Sequence, residues 1–163
     1  PNAAAVAALI WSQNPTWTRD MVVAQLLGST DNIDSVNTKY VGKLGSGRVN
    51  SLRALTENLE SPQLKLIKES KGGKVKKGAK ALNLRFTHRL DPKTVIADHF
   101  VLTGPQGAVS VSIARPYKMG SDYVALSTDI LDPGSYSLSI DSGLTDPFGA
   151  SVAGNKSISF SVE

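Results

Sequence analysis

The chain has 163 residues, a formal charge of +4 and no cysteine, which is length enough for one ordinary domain or two small ones. The absence of cysteine excludes a disulfide scaffold, cysteine catalysis and thiolate metal sites. A composition of 20 % charged and 40 % hydrophobic residues excludes a collagen-like, coiled-coil or wholly disordered chain, and no apolar run approaches the roughly 18 residues of a membrane span.

The first sixty residues read as helical. Ala3 to Trp11 is small and apolar nearly all round, with Ala4, Ala8 and Trp11 along one face and Ala5, Leu9 and Ser12 along another. A helix with no polar face belongs in the interior of something large. The sequence opens at Pro1 within this run and carries no initiating methionine, so a longer parent chain is expected. Asn14-Pro15 stops the helix, because proline restricts the residue before it and cannot continue the ladder. Thr18 is a good N-cap for a second helix, with Asp20 in its first turn. Val22 and Leu26, like Val23 and Leu27, are i,i+4 pairs on its inner side. Gly28 is expected to close it as a left-handed C-cap. Residues 29–47 read as loop with a short extended piece at Tyr40 and Val41, and Gly45 and Gly47 as a tight turn or close backbone contact. Asn50 is expected to cap a third, short helix burying Leu52 and Leu55.

Near Ser61-Pro62 the period changes to two. Leu64, Leu66 and Ile67 mark a first strand. Leu82, Leu84 and Phe86 then alternate with polar residues, as do Val109, Val111 and Ile113, Tyr136, Leu138 and Ile140, and Ile158, Phe160 and Val162. Val124 and Leu126 make a shorter run. This is the mark of half-buried strands. Turn formers separate them at Lys71-Gly72-Gly73-Lys74, Gly104-Pro105-Gln106-Gly107, Asp132-Pro133-Gly134 and Asp146-Pro147-Phe148-Gly149. Asp91 to Val95 is predicted as one helical turn with Asp91 as its cap. About seven short strands with one apolar face each predict a two-sheet antiparallel sandwich. The predicted class is therefore α+β, with a helical segment over 1–60 and an all-β sandwich over 61–163.

The charge is local. Residues 61–80 hold seven lysines (65, 68, 71, 74, 76, 77 and 80) against Glu69. A basic patch of this kind can meet nucleic acid or an anionic surface. No aromatic residue interleaves the lysines and no DNA-binding motif accompanies them, so the favoured reading is a lysine-rich strand edge and turn, with no nucleic-acid partner. His88 and His99, the only histidines, have carboxylates near in sequence but no metal spacing, and are expected at the surface. No serine stands in a nucleophile elbow. Asp31, Asn32 and Asp34 lack the twelve-position calcium pattern and read as a polar loop. Trp11 and Trp17 read as helix-end packing rather than a carbohydrate platform.

The order of these pieces carries a resemblance. Pro1-Asn2-Ala3-Ala4-Ala5-Val6-Ala7-Ala8-Leu9-Ile10 resembles the stretch that follows the catalytic serine of subtilisin-like serine peptidases, with Pro1 at the family proline and Ala4, Ala7, Ala8 and Leu9 in the small-residue helix. Ala3 and Ala5 replace the more usual valine and glycine. Asn14-Pro15 with Thr18, then Leu26, Leu27 and Thr30, resemble the next family segment. Gly45-Ser46-Gly47-Arg48-Val49-Asn50 with Ala54-Leu55 is similar to the family's closing turn and last helix. The resemblance covers residues 1–56. It implies a parent endopeptidase using serine, histidine and aspartate, with an asparagine in the oxyanion hole. The nucleophile would lie about four residues before Pro1, so no catalytic, cofactor or metal residue is expected in this chain. Its contribution would be support of the active site through Pro1, Ala4, Ala7, Ala8 and Leu9, and the closing turn through Gly45, Gly47 and Asn50. The resemblance also implies the rest of the catalytic domain packed on helix 1–13, protein or peptide substrates, and calcium as a candidate cofactor of the parent domain only.

Residues 75–163 resemble the bacterial Ig-like domains that follow enzymes and surface-layer proteins. The matching runs are Leu84-Arg85-Phe86-Thr87, Leu90-Asp91-Pro92-Lys93-Thr94-Val95, Phe100-Val101-Leu102, Leu131 to Leu138, Leu144 to Gly149 and Ser159 to Val162. Two readings compete on the sequence: the C-terminal part of a secreted subtilase with an accessory Ig-like domain, located outside the cell or in the periplasm, and a non-catalytic interaction, adhesion or spacer module. This chain alone is expected to be inactive under either.

Overall fold

The computed structural model describes residues 2–41, 43–67, 73–114 and 122–163. Two compact units make up the chain, Pro1–Glu60 and Ser61–Glu163. The first holds a few short helices and the second is mostly β.

In the helical unit, α1 runs Asn2–Gln13. Asn14 ends it by donating both its backbone N–H and its side-chain amide to the Ile10 carbonyl, at 3.0 Å each. The last turn is thus satisfied before Pro15 breaks the ladder. α2 runs Arg19–Gly28, and the Thr18 hydroxyl accepts the Met21 N–H at 3.3 Å, the cap its position in the sequence predicts. Gly28 corrects the expected left-handed cap. It is the last helical residue, and the cap is Ser29. What glycine provides there is space, because a Cβ would stand 2.7 Å from a methyl of Leu59. Tyr40 is not extended: 3-10 turns cover Asp34–Val36 and Thr38–Tyr40, and Val41 follows them. α3 runs Ser51–Thr56, with Asn50 Oδ1 accepting the Arg53 N–H. Its buried residue is Ala54, while Leu52 is 70 % exposed, opposite to expectation. Ala54 faces α1 in a core of Val6, Ile10, Val22 and Ala54, with Trp17, Leu26 and Leu55 around it.

The second unit is a β-sandwich. Its strands are β1 Leu64–Ile67, β2 Lys74–Val75, β3 Ala81–Phe86, β4 Phe100–Gly104, β5 Gly107–Val109, β6 Val111–Ile113, β7 Tyr123–Thr128, β8 Gly134–Ile140 and β9 Ser157–Val162. One sheet has the order β1-β3-β7-β6 and the other β2-β9-β8-β4-β5. All pairings are antiparallel except β2 with β9. The period-two pattern explains the layers. Leu82, Leu84 and Phe86 of β3 meet Val124 and Leu126 of β7, and Leu102, Leu138 and Phe160 come from the other sheet, all in one core. Each fully buried aliphatic or aromatic side chain of this kind stabilises by about 1.5–3 kcal/mol.

Nine strands among the described residues replace the expected seven or so, for identifiable reasons. The run Val109 to Ile113 is not one strand. It breaks at Ser110, leaving β5 in one sheet and β6 in the other, while Val109, Val111 and Ile113 all still pack on the core. Alternation survives because both sheets turn the same side inward. β4 was hidden by its continuous apolar trio, of which Phe100 and Leu102 are buried and Val101 is exposed. Asp91 to Val95 makes the single capped turn expected, in which Asp91 accepts from Lys93 N–H through its side chain and from Thr94 N–H through its carbonyl. A 3-10 turn follows at Ala97–His99. Tyr136 on β8 donates its hydroxyl proton to the Asp132 carbonyl at 2.9 Å and stacks on Phe160 of β9. Gly104 makes room for that ring, since a Cβ there would stand 2.6 Å from it.

Candidate functional site

The helix that carries the resemblance is apolar on both sides but covered on one. Val6 and Ile10 of α1 are buried and Ala7 is half-buried, whereas Ala4, Ala5, Ala8, Leu9 and Trp11 are exposed. Leu9 is 50 % and Trp11 44 % accessible. Pro1 lies outside the described residues. Of nine exposed large hydrophobic residues among the described ones, six belong to the sixty-residue helical unit: Leu9, Trp11, Val36, Tyr40, Val41 and Leu52. Water in contact with such side chains costs free energy in proportion to their area. Trp17 packs on the helical core and Trp11 does not, so the expected shared role of the two tryptophans in helix-end packing holds for Trp17 alone.

Gly47 and Asn50 are brought together around Asp31, and Gly45 is not. Residues Asp31 and Arg48 form an antiparallel bridge through two backbone hydrogen bonds of 2.9 and 3.0 Å. Gly47 sits beside this bridge at φ +121°, and a Cβ would collide with the Asp31 carbonyl oxygen. Only glycine satisfies both conditions. Gly45 also has positive φ, +64°, but faces open space. The Asp31 carboxylate accepts from Arg48 Nη2 at 3.0 Å, Asn50 Nδ2 at 3.0 Å and Arg53 Nη1 at 3.2 Å. The Asn50 amide, then Arg48 and Arg53, hold this carboxyl below the ordinary carboxylate range. Asp31 is thus a structural anchor engaged by cationic and amide donors, and Thr30 adds a hydroxyl bond of 2.6 Å to the Ser46 carbonyl.

Sequence reasoning missed Gln25. It is buried on α2, and its Nε2 donates to the Ala54 carbonyl at 3.1 Å and the Glu57 carbonyl at 2.7 Å. These are terminal carbonyls of α3 that the helix itself cannot satisfy. The one available signal was a glutamine amid the buried positions of an amphipathic helix.

The histidines are not at the surface. The His88 side chain is 10 % exposed and His99 21 % exposed. His88 Nε2 stands 3.8 Å from Asp146 Oδ2, and His99 Nδ1 2.8 Å from Asp141 Oδ1. Both rings are half-buried and bring the β3–β4 connection up against the β8–β9 connection, His99 at close range to Asp141 and His88 beyond hydrogen-bond distance of Asp146. His99, then the Gly143 N–H, lowers the Asp141 carboxyl from its ordinary value. Gly143 is required here because a Cβ would overlap the His99 ring. Asp146 is buried, with Oδ1 accepting the Phe148 and Ala150 N–H groups at 2.8 and 2.9 Å.

Lys74 lies on β2, an edge strand, and pairs with Glu163 at 2.6 Å. Lys76, Lys77 and Lys80 are exposed in the turn that follows, Lys65 is on β1, the edge strand of the other sheet, and Lys68 and Lys71 lie outside the described residues. Lysine at unpaired edges hinders strand-to-strand association. A shallow hollow of about 420 Å³ lies over β4, β8 and β9, floored by Thr103, Ser135, Ser137, Ser159 and Ser161. It offers hydroxyls but no carboxylate, imidazole or cation for chemistry. Among the described residues no group of three or more His, Asp or Glu could hold a metal ion, and no helix is long and apolar enough to cross a membrane.

No protein-family model matches the chain, and no curated protein matches it. Solved structures do resemble it. The N-terminal part of the bacterial S-layer protein SbsC superposes with a TM-score of 0.50 at 16 % identity, over 99 % of this chain and 37 % of that one. CopC from Methylosinus trichosporium OB3b gives 0.48 at 20 % identity, over 64 % of this chain and 94 % of that one. The filamin domain of Lin-41 gives 0.39 at 18 % identity, over 63 % of this chain and 91 % of that one. The chain thus spans little more than a third of the matched SbsC part. None of these descriptions names a peptidase, and likeness at such identities shows a fold and no activity.

Proposed function

We propose that residues 1–60 are the closing helices of the catalytic domain of a secreted subtilisin-like serine endopeptidase, and that residues 61–163 are an accessory Ig-like domain. The observation that carries the first part is the exposed apolar side of α1. Ala4, Ala5, Ala8, Leu9 and Trp11 stand in solvent on a helix whose small residues suit close approach of a neighbour. The remainder of the catalytic domain, packed on helix 1–13, is the cover this reading supplies. The turn through Gly45, Gly47 and Asn50 supports it, because Gly47 has a steric and Asn50 a hydrogen-bonding reason in this structure and Gly45 adopts the positive φ that glycine favours. In the parent, the serine preceding this helix would attack the peptide carbonyl, histidine would take its proton and aspartate would orient the imidazole. This chain's part is to hold the helix rigid.

The Ig-like reading is supported by strand order. Taking β1, β3, β7 and β6 as A, B, E and D, and β4, β8 and β9 as C, F and G, reproduces the immunoglobulin arrangement. The Tyr136 hydroxyl bonded back to Asp132 matches the tyrosine corner of such domains. An extracellular or cell-surface location fits this reading, and SbsC is itself a surface-layer protein. The competing reading, a non-catalytic adhesion or spacer module, draws on the same likeness, which extends over the helices. In that reading the helical part is a docking element, and the bare side of α1 meets a separate partner.

Fluorophosphonate labelling of the full-length gene product is the test. The expected result is one labelled serine in a Gly-Thr-Ser context shortly before Pro1, casein hydrolysis by the full-length protein, and neither from the 163-residue chain alone. An unlabelled, inert full-length protein favours the adhesion or spacer module.

A further inference from the structure

α1 is braced by very little. Val6 and Ile10 meet Val22 on α2 and Ala54 on α3. α3 is only six residues long, too short to persist on its own hydrogen bonds, so its position is set from outside. At its start, Asn50 caps the helix through Oδ1 and gives its Nδ2 to Asp31. From its first turns, Arg53 reaches back with Nη1 to Asp31 at 3.2 Å and to the Thr30 carbonyl at 2.8 Å, while its Nε pairs with Glu57 at 2.8 Å. Arg48 completes the set on Asp31 Oδ2. One carboxylate thus gathers the bridge residue before α3, the cap of α3 and a side chain from its body.

We infer that Asp31, acting with Arg53, is a positioning residue for the nucleophile of the proposed peptidase: it fixes α3, α3 braces α1 through Ala54, and α1 sets where the preceding serine points. The inference rests on the peptidase reading above. Displacement of a reacting atom by about 1 Å from a remote change costs on the order of 100-fold in rate. Loss of Asp31 acts on that placement and not on the loops that contact substrate, so it is a kcat effect.

The experiment uses the full-length gene product with Asp31→Ala, Asp31→Asn, Arg53→Lys and, as control, Glu60→Gln, which changes an exposed carboxylate at the end of the same unit. Each is checked for folding by near-ultraviolet circular dichroism. Asp31→Ala is expected to lower kcat and the fluorophosphonate labelling rate by roughly 10- to 100-fold with KM within about twofold. Asp31→Asn, which keeps an acceptor for Asn50 and Arg53, should recover part of the rate. Arg53→Lys should fall between, and Glu60→Gln should match wild type. If Asp31→Ala does not fold, Asp31→Asn and Arg53→Lys decide, and wild-type rates in both overturn the inference. A rise in KM at constant kcat, or labelling of Asp31→Ala at the wild-type rate, overturns it while the peptidase reading stands. Absence of labelling in wild type removes both.

Discussion

Replacing Gln25 by alanine should strongly destabilise the helical unit while leaving the sandwich intact. Its Nε2 is the donor for the Ala54 and Glu57 carbonyls, and the side chain is 4 % accessible, so water cannot readily take its place. A buried acceptor left without a donor costs about 1–3 kcal/mol. The Glu57 bond is only partly buried, which puts the sum at about 2–4 kcal/mol. A unit of this size holds about 3–5 kcal/mol in total. The loss is therefore comparable to everything that keeps it folded. Both tryptophans, at positions 11 and 17, lie in this unit, so tryptophan fluorescence excited near 295 nm reports it alone. With a urea slope of about 1 kcal/mol per M, the midpoint should fall by roughly 2 M or more. Gln25→Met keeps the volume without the donor and should lose nearly as much. A midpoint within about 0.5 M of wild type for either variant would show that the two carbonyls do not depend on Gln25.

Gly47→Ala should destabilise the same fluorescence transition by about 2 kcal/mol or more, because strain at positive φ adds to the collision with Asp31; Gly45→Ala, in open space, should cost only about 1 kcal/mol, and equal losses would discount the collision. Tyr136→Phe removes the bond to Asp132 and should cost the sandwich about 1 kcal/mol, lowering its Tm in calorimetry by about 4–8 °C without moving the tryptophan signal. The Asp31 carboxyl is depressed in the folded state, so its contribution is complete above the ordinary carboxylate value and lost as pH falls through the depressed one. Acid titration of the tryptophan signal should therefore show destabilisation below about pH 4 that is blunted in Asp31→Asn, and identical acid limbs would refute the anchor.

Local rules determined much of this protein from sequence alone. Asn14-Pro15 ended a helix, Thr18 and Asn50 began two others, and alternation along Leu82 to Phe86, Tyr136 to Ile140 and Ile158 to Val162 set strands with one inner face. Each of these depends on residues adjacent along the chain, where geometry is fixed by a few dihedrals. What required the tertiary structure was every pairing across distance. Gly28 looked like a cap because glycines commonly are; only the approach of Leu59 shows that it clears space. Leu52 was expected inside with Leu55, yet it is exposed while Leu55 packs on the core, because the face of α3 is chosen by α1, which no local period encodes. His88 and His99 are half-buried because the connection carrying their carboxylates comes back from about sixty and forty residues further along the chain. Asp31 read as polar loop until Arg48, Asn50 and Arg53 closed on it. Hydrogen bonds and packing between distant segments are settled by where the elements come to rest, and a sequence read in windows carries no measure of that.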